Sequence, residues 1–64
     1  MRFIFSEKDI RIIDHRPAPV EQILLEEGIN PLEVIVSRNG RIISEDTVIA
    51  PDDEVRVIRI AHGG

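Results

Sequence analysis

The chain has 64 residues, no cysteine, and 12 acidic against 8 basic residues, giving a net charge of −4. That length allows one small domain, and the lack of cysteine excludes disulfide scaffolds, thiolate nucleophiles and Cys-based zinc sites. The interspersed acidic surplus argues against a nucleic-acid partner, and His15 and His62 lack the company that a metal site requires, so no metal is expected. No apolar run approaches membrane length and no basic-then-apolar leader opens the chain, so the expectation is a soluble, cytoplasmic protein without a membrane partner. Twelve Ile and six Val stand against three Leu, and stiff β-branched side chains favour strands.

Met1-Arg2-Phe3-Ile4-Phe5 reads as a first strand, with Met1, Phe3 and Phe5 on one face and both aromatic residues in the core. Ser6-Glu7-Lys8-Asp9 supplies turn formers, and Ile10-Arg11-Ile12-Ile13-Asp14 returns as a second strand, making an antiparallel hairpin. His15-Arg16-Pro17-Ala18-Pro19 breaks the sheet. Pro19 fits the first position of a helix, where its missing N–H costs nothing. Val20, Ile23 and Leu24 then form one apolar stripe. Gly28 is placed to follow the helix in a left-handed conformation, with Ile29 closing its end by an apolar contact. The spacing predicts a helix over residues 19–27.

Asn30-Pro31 forces a turn, and Glu33-Val34-Ile35-Val36-Ser37 is apolar on both faces, as a central strand would be. Asn39-Gly40 is the favoured two-residue hairpin signal, and Arg41-Ile42-Ile43 returns as a short fourth strand. Ser44-Glu45-Asp46-Thr47 is turn material, Val48-Ile49-Ala50 packs an edge, and Pro51-Asp52-Asp53 leads into a last strand over residues 54–60. The helix must cover the apolar face of the sheet. The last strand releases Ala61-His62-Gly63-Gly64, and a functional tail calls for a rigid base. That places the last strand centrally, beside the first and parallel to it. The expected architecture is therefore an α+β, ubiquitin-like β-grasp: a mixed sheet crossed by one helix, one domain over residues 1–64, with 61–64 as a flexible tail.

Paired glycines lack Cβ atoms, so their backbone can enter a narrow channel. The group at the tip is the α-carboxylate of Gly64, a poor acyl donor until a partner converts it to a mixed anhydride with a nucleotide phosphate. Carboxylates elsewhere do not suggest a concave catalytic site in so small a domain, so the expectation is a non-catalytic carrier that is the substrate of an enzyme.

The short first strand, the Asn39-Gly40 hairpin after a β-branched strand, the acidic turn before Val55 and the Gly63-Gly64 end occur in this order over the whole chain. In these features the chain resembles the ubiquitin-like sulfur carriers of the ThiS and MoaD families and their archaeal modifier relatives. The resemblance implies that an E1-like adenylating enzyme of the ThiF/MoeB type activates Gly64 with ATP, while the chain itself binds no cofactor. Gly64 would bear the acyl-adenylate and then a thiocarboxylate, and Gly63 and His62 would thread the partner's channel. Further implied partners are a sulfur donor and a downstream sulfur-accepting enzyme of thiamine thiazole, molybdopterin or tRNA-thiolation chemistry. Asp52 stands where the family's acidic turn usually has glycine. Ile58-Arg59-Ile60 replaces a proline pair frequent in MoaD, tilting the reading toward ThiS or an archaeal modifier.

If Val55 and Val57 face the helix, Ile58 and Ile60 face solvent beside the tail. With Arg59, and joined by Ile4 and Ile35, they are the candidate docking residues for the activating enzyme. Arg2 and Arg56 read either as docking cations or as solvated sheet charges. Two rival readings share the sequence features: a protein modifier joined to target lysines through Gly64, and a plain β-grasp interaction domain with incidental glycines.

Overall fold

A computed structural model describes residues 1–60. The expectations for His62, Gly63, Gly64 and a flexible tail over 61–64 lie outside the described residues. Among the described residues, seven strands and one α-helix follow the chain: β1 (Arg2–Ser6), β2 (Asp9–Ile12), β3 (Ala18–Pro19), α1 (Val20–Glu26), β4 (Val34–Arg38), β5 (Arg41–Ile43), β6 (Val48–Ile49) and β7 (Glu54–Arg59), with a 3₁₀ turn at Pro31–Glu33 before β4. Five strands form the main sheet in the order β2-β1-β7-β4-β5. β7 lies at its centre, parallel to β1 and antiparallel to β4. This is the mixed β-grasp sheet expected from the sequence, with the parallel pair where the tail argument put it.

One face of that sheet is covered by α1. Phe3, Val36, Val55 and Val57 from the sheet meet Val20, Ile23 and Leu24 from the helix in a single core, completed by Met1, Ala18, Ile29 and Ile49. Phe5 is only half-buried, a correction to the expectation of two core phenylalanines. It packs against the core from its margin, its ring 6.5 Å from that of Phe3 with the Arg11 guanidinium 4.5 Å above it.

The helix ends as its sequence requires. Gly28 takes φ +78°, its N–H donates to the Leu25 carbonyl at 3.0 Å, and the N–H of Ile29 donates to the Leu24 carbonyl at 2.9 Å. These two bonds form a Schellman motif, with Ile29 buried as its apolar closure. The start differs from expectation. Pro19 is the N-cap, extended at ψ 140°, and makes no side-chain cap. The exposed N–H groups of Val20 and Glu21 donate instead to the carbonyls of Thr47 and Glu45, at 2.9 and 3.0 Å. Residues 15–19 were expected only to break the sheet, yet Ala18-Pro19 pairs antiparallel with Val48-Ile49 in a separate two-stranded sheet. Ile49 is therefore fully buried rather than an edge residue. Residue Glu33, expected in the third strand, belongs to the 3₁₀ turn that Asn30 caps by accepting the Leu32 N–H at 3.0 Å.

Asn39 and Gly40 take φ 54° and 76°, and Arg38 pairs with Arg41 across them, as a primed two-residue hairpin demands. Asp52, by contrast, is not among the positive-φ residues, so this turn does not need the glycine that the family usually has there. It is fastened by Asp53, whose Oδ2 accepts from the Ala50 N–H at 2.8 Å and from Arg38 Nη1 at 3.2 Å. The Asp53 carbonyl accepts from the Arg2 N–H at 3.0 Å, which locks the entry of β7 to the start of β1.

Candidate functional site

Strand alternation decides what the uncovered face of the sheet presents. In β7, Val55 and Val57 are buried under α1, so Glu54, Arg56 and Ile58 point the other way and are exposed. The same logic puts Arg2 and Ile4 of β1, Ile10 and Ile12 of β2, Ile35 and Ser37 of β4, and Ile42 of β5 on the open face. Register aligns these residues into rows. One row crosses all five strands, Ile10-Ile4-Arg56-Ser37-Ile42, and Ile58 sits opposite Ile35 in the next.

The expected docking residues thus fall into two groups. Ile58 (57% exposed) and Ile60 (41%) are presented as predicted, with Ile35 and Ile4 alongside. Arg59 does not join them. It pairs with Val34 and shares the parity of Val57, so its stem leaves from the helix side of the sheet, although the residue is exposed. Sequence reasoning missed three members of the face, Ile10, Ile12 and Ile42. The last two are 77% and 75% exposed. Their alternation was visible, but which side the helix covers at the sheet margins was not.

Arg56 is the cationic centre of this apolar face, with Arg2 and Glu54 beside it. Among the described residues none of these three forms an ion pair, whereas Arg11, His15 and Arg38 all do. Two arginines and one glutamate give the face a positive balance on a chain of net charge −4. It suits a partner surface that is apolar with carboxylates opposite Arg56.

The C-terminal end of β7 is held on both sides. β7 is flanked by β1 and β4, and beyond its last residue the N–H of Ile60 still donates to the Glu33 carbonyl at 2.9 Å. The anchor strand is therefore fixed up to the residue before Ala61. The 3₁₀ turn that supplies Glu33 also holds Leu32 outward, 77% exposed, a feature without a periodic signal in the sequence. Among the described residues no group of three His, Cys, Asp or Glu side chains is arranged to hold a metal ion, and no helix is long and apolar enough to cross a membrane.

A five-stranded mixed sheet with a central parallel pair, crossed by one helix and ending in a double glycine, defines a ubiquitin-like β-grasp protein. The family model of the ThiS family matches residues 4–64, nearly the whole chain, and the chain belongs to that family. Its members are small sulfur-carrier proteins rather than catalysts, and a general interaction with an E1-like activating enzyme follows from membership. Comparison with curated proteins finds no match.

Proposed function

We propose that this chain carries sulfur on its C-terminal glycine. An E1-like enzyme of the ThiF/MoeB type docks on the open face through Ile58, Ile60, Ile35 and Ile4 and receives the tail in its channel. A Gly64 carboxylate oxygen attacks the α-phosphate of ATP, pyrophosphate leaves, and the acyl-adenylate forms. A hydrosulfide ion supplied by a donor then displaces AMP, and the resulting thiocarboxylate passes its sulfur to an accepting enzyme. The acceptor belongs to thiamine thiazole, molybdopterin or tRNA-thiolation chemistry. The protein contributes no catalytic side chain and binds no cofactor; ATP is used by the partner.

The observation that carries this reading is the family match running through residue 64. The centrally placed β7 and the exposed isoleucines at its end support it, because they provide a fixed base and an apolar surface at the last described residues before Ala61-His62-Gly63-Gly64. The test is ATP–pyrophosphate exchange with the cognate E1-like enzyme. Deleting Gly64 leaves a carboxylate on Gly63 that is roughly 3.3–3.6 Å short, and a misplacement of about 1 Å can cost on the order of a hundredfold in rate. Exchange should fall by at least that factor while docking survives. Gly63→Val keeps the reach and adds bulk that a narrow channel rejects, with the same expected loss. Full exchange in both variants would refute the role of the terminal glycines.

A further inference from the structure

β2 is one margin of the main sheet, with a strand neighbour on one side only. The hydrogen-bond phase of its ladder is fixed at the far end. The N–H of Ile13 donates to the Met1 carbonyl at 2.8 Å, and the Met1 ammonium donates to the Ile13 carbonyl at 2.8 Å. Odd residues of β2 therefore turn their backbone groups toward β1. Ile10 and Ile12, which stand opposite Ile4 and Arg2, send their N–H and C=O outward, where no strand among the described residues receives them. Bare edges of this kind are templates for strand addition. The strand is short, four residues, and carries Asp9 and Arg11 on its helix side, but its two outward-bonding residues are isoleucines, and Ile12 is 77% exposed.

We infer that this edge pairs antiparallel with β2 of a second copy of the chain, about a two-fold axis that sets Ile10 opposite Ile10. Three features select the occupant and the register. Outward-bonding residues must oppose one another, so only registers that match even with even positions complete the bonds. Among those, the Ile10-centred register places Asp9 opposite Arg11 of the second copy, and Arg11 opposite its Asp9. The two-fold thus brings each Arg11, which within its own chain pairs with Asp9 at 3.3 Å and with Glu27 at 3.5 Å, beside the Asp9 of the second copy on the helix side. The register one step along, Ile10 opposite Ile12, would oppose Arg11 to Arg11, and like charges directly opposite are destabilising. Centring on Ile12 instead sets Arg11 against Ile13 and leaves it without a carboxylate opposite.

The Ile10 side chains meet on the open face, so the apolar surfaces of the two copies join into one. β7 lies two strands inside the edge, and the base of the tail stays clear of the contact. Nothing in the pairing involves Gly64, so it is independent of the sulfur chemistry.

The chain lacks cysteine, which makes the register directly readable. Opposed residues of a hydrogen-bonded antiparallel pair have Cα atoms about 5.5 Å apart and Cβ atoms within about 5.5 Å, close enough for a short thiol-specific bismaleimide to bridge. Ile10→Cys should therefore cross-link with such a reagent. In the same register the two Ile12 positions are offset by four residues, more than roughly 13 Å, so Ile12→Cys should stay monomeric on a denaturing gel. Sedimentation equilibrium of the unmodified chain should show a dimer, and Asp9→Arg, which sets arginine against Arg11, should raise its Kd by at least about tenfold. Circular dichroism confirms that each variant is folded. A chain that remains monomeric at millimolar concentration overturns the inference, as does cross-linking of Ile12→Cys equal to or above that of Ile10→Cys.

Discussion

Both ring nitrogens of His15 face acceptors, with Nδ1 2.7 Å from the Arg16 carbonyl and Nε2 2.8 Å from Glu26 Oε2. Only the imidazolium donates from both nitrogens, and these two bonds, the carbonyl first and the carboxylate second, hold the His15 pKa above its ordinary 6.5. A raised folded-state pKa adds stability that is fully present below the unfolded value and is lost as pH rises through the folded value. The stability advantage of the wild type over His15→Gln should therefore be largest below pH 6.5 and shrink above the His15 midpoint, read from urea unfolding of both proteins. An NMR titration of His15 should fall toward the free value in Glu26→Gln. Adjacent residues of β7 make a second contrast at this scale. Val57 is 2% exposed and Ile58 57%, so Val57→Asp buries an unpaired charge and should unfold the domain, while Ile58→Asp should melt near the wild type. On docking, the carboxylate that Ile58→Asp introduces would be desolvated without a partner, so binding to the activating enzyme should weaken. Equal melting losses would mean that the strand faces are reversed.

At the scale of elements, the features legible in the sequence are those that the local chain encodes by itself. The C-terminus of α1 follows from Gly28 and Ile29, and the β4–β5 hairpin from Asn39-Gly40, because each needs a particular φ that few residues tolerate. A Cβ on Gly28 would meet nothing within 4 Å, so Gly28→Ala isolates the backbone term. It should cost about 1–2 kcal/mol from the left-handed φ alone, measured by denaturant unfolding. What the sequence did not reveal is non-local. β3 and β6 are two residues each, too short for any period, and their partners lie some thirty positions apart. The start of α1 carries no cap signal because the carbonyls of Glu45 and Thr47 take that role from across the fold. The open face of the sheet was legible where alternation along β7 reports the buried side, at Ile58 and Ile60. Arg59 is exposed but has the opposite parity, and Ile12 and Ile42, at the margins of the face, gave no such signal.

For the whole molecule, the order of strands matters more than any side chain. β7 is braced by β1 and β4, and just beyond it the backbone bond from Ile60 to Glu33 holds the last described residue in place. Family membership identifies a ubiquitin-like sulfur carrier, and the proposed chemistry converts the Gly64 carboxylate to a thiocarboxylate. Intact mass of the chain after incubation with ATP, a sulfur source and its E1-like enzyme tests this most directly. The mass should rise by the difference between one sulfur and one oxygen atom, the gain should require ATP, and it should map to Gly64 in the C-terminal peptide. An unchanged mass with an active E1-like enzyme and ATP present, or a sulfur atom located on any other residue, would contradict it.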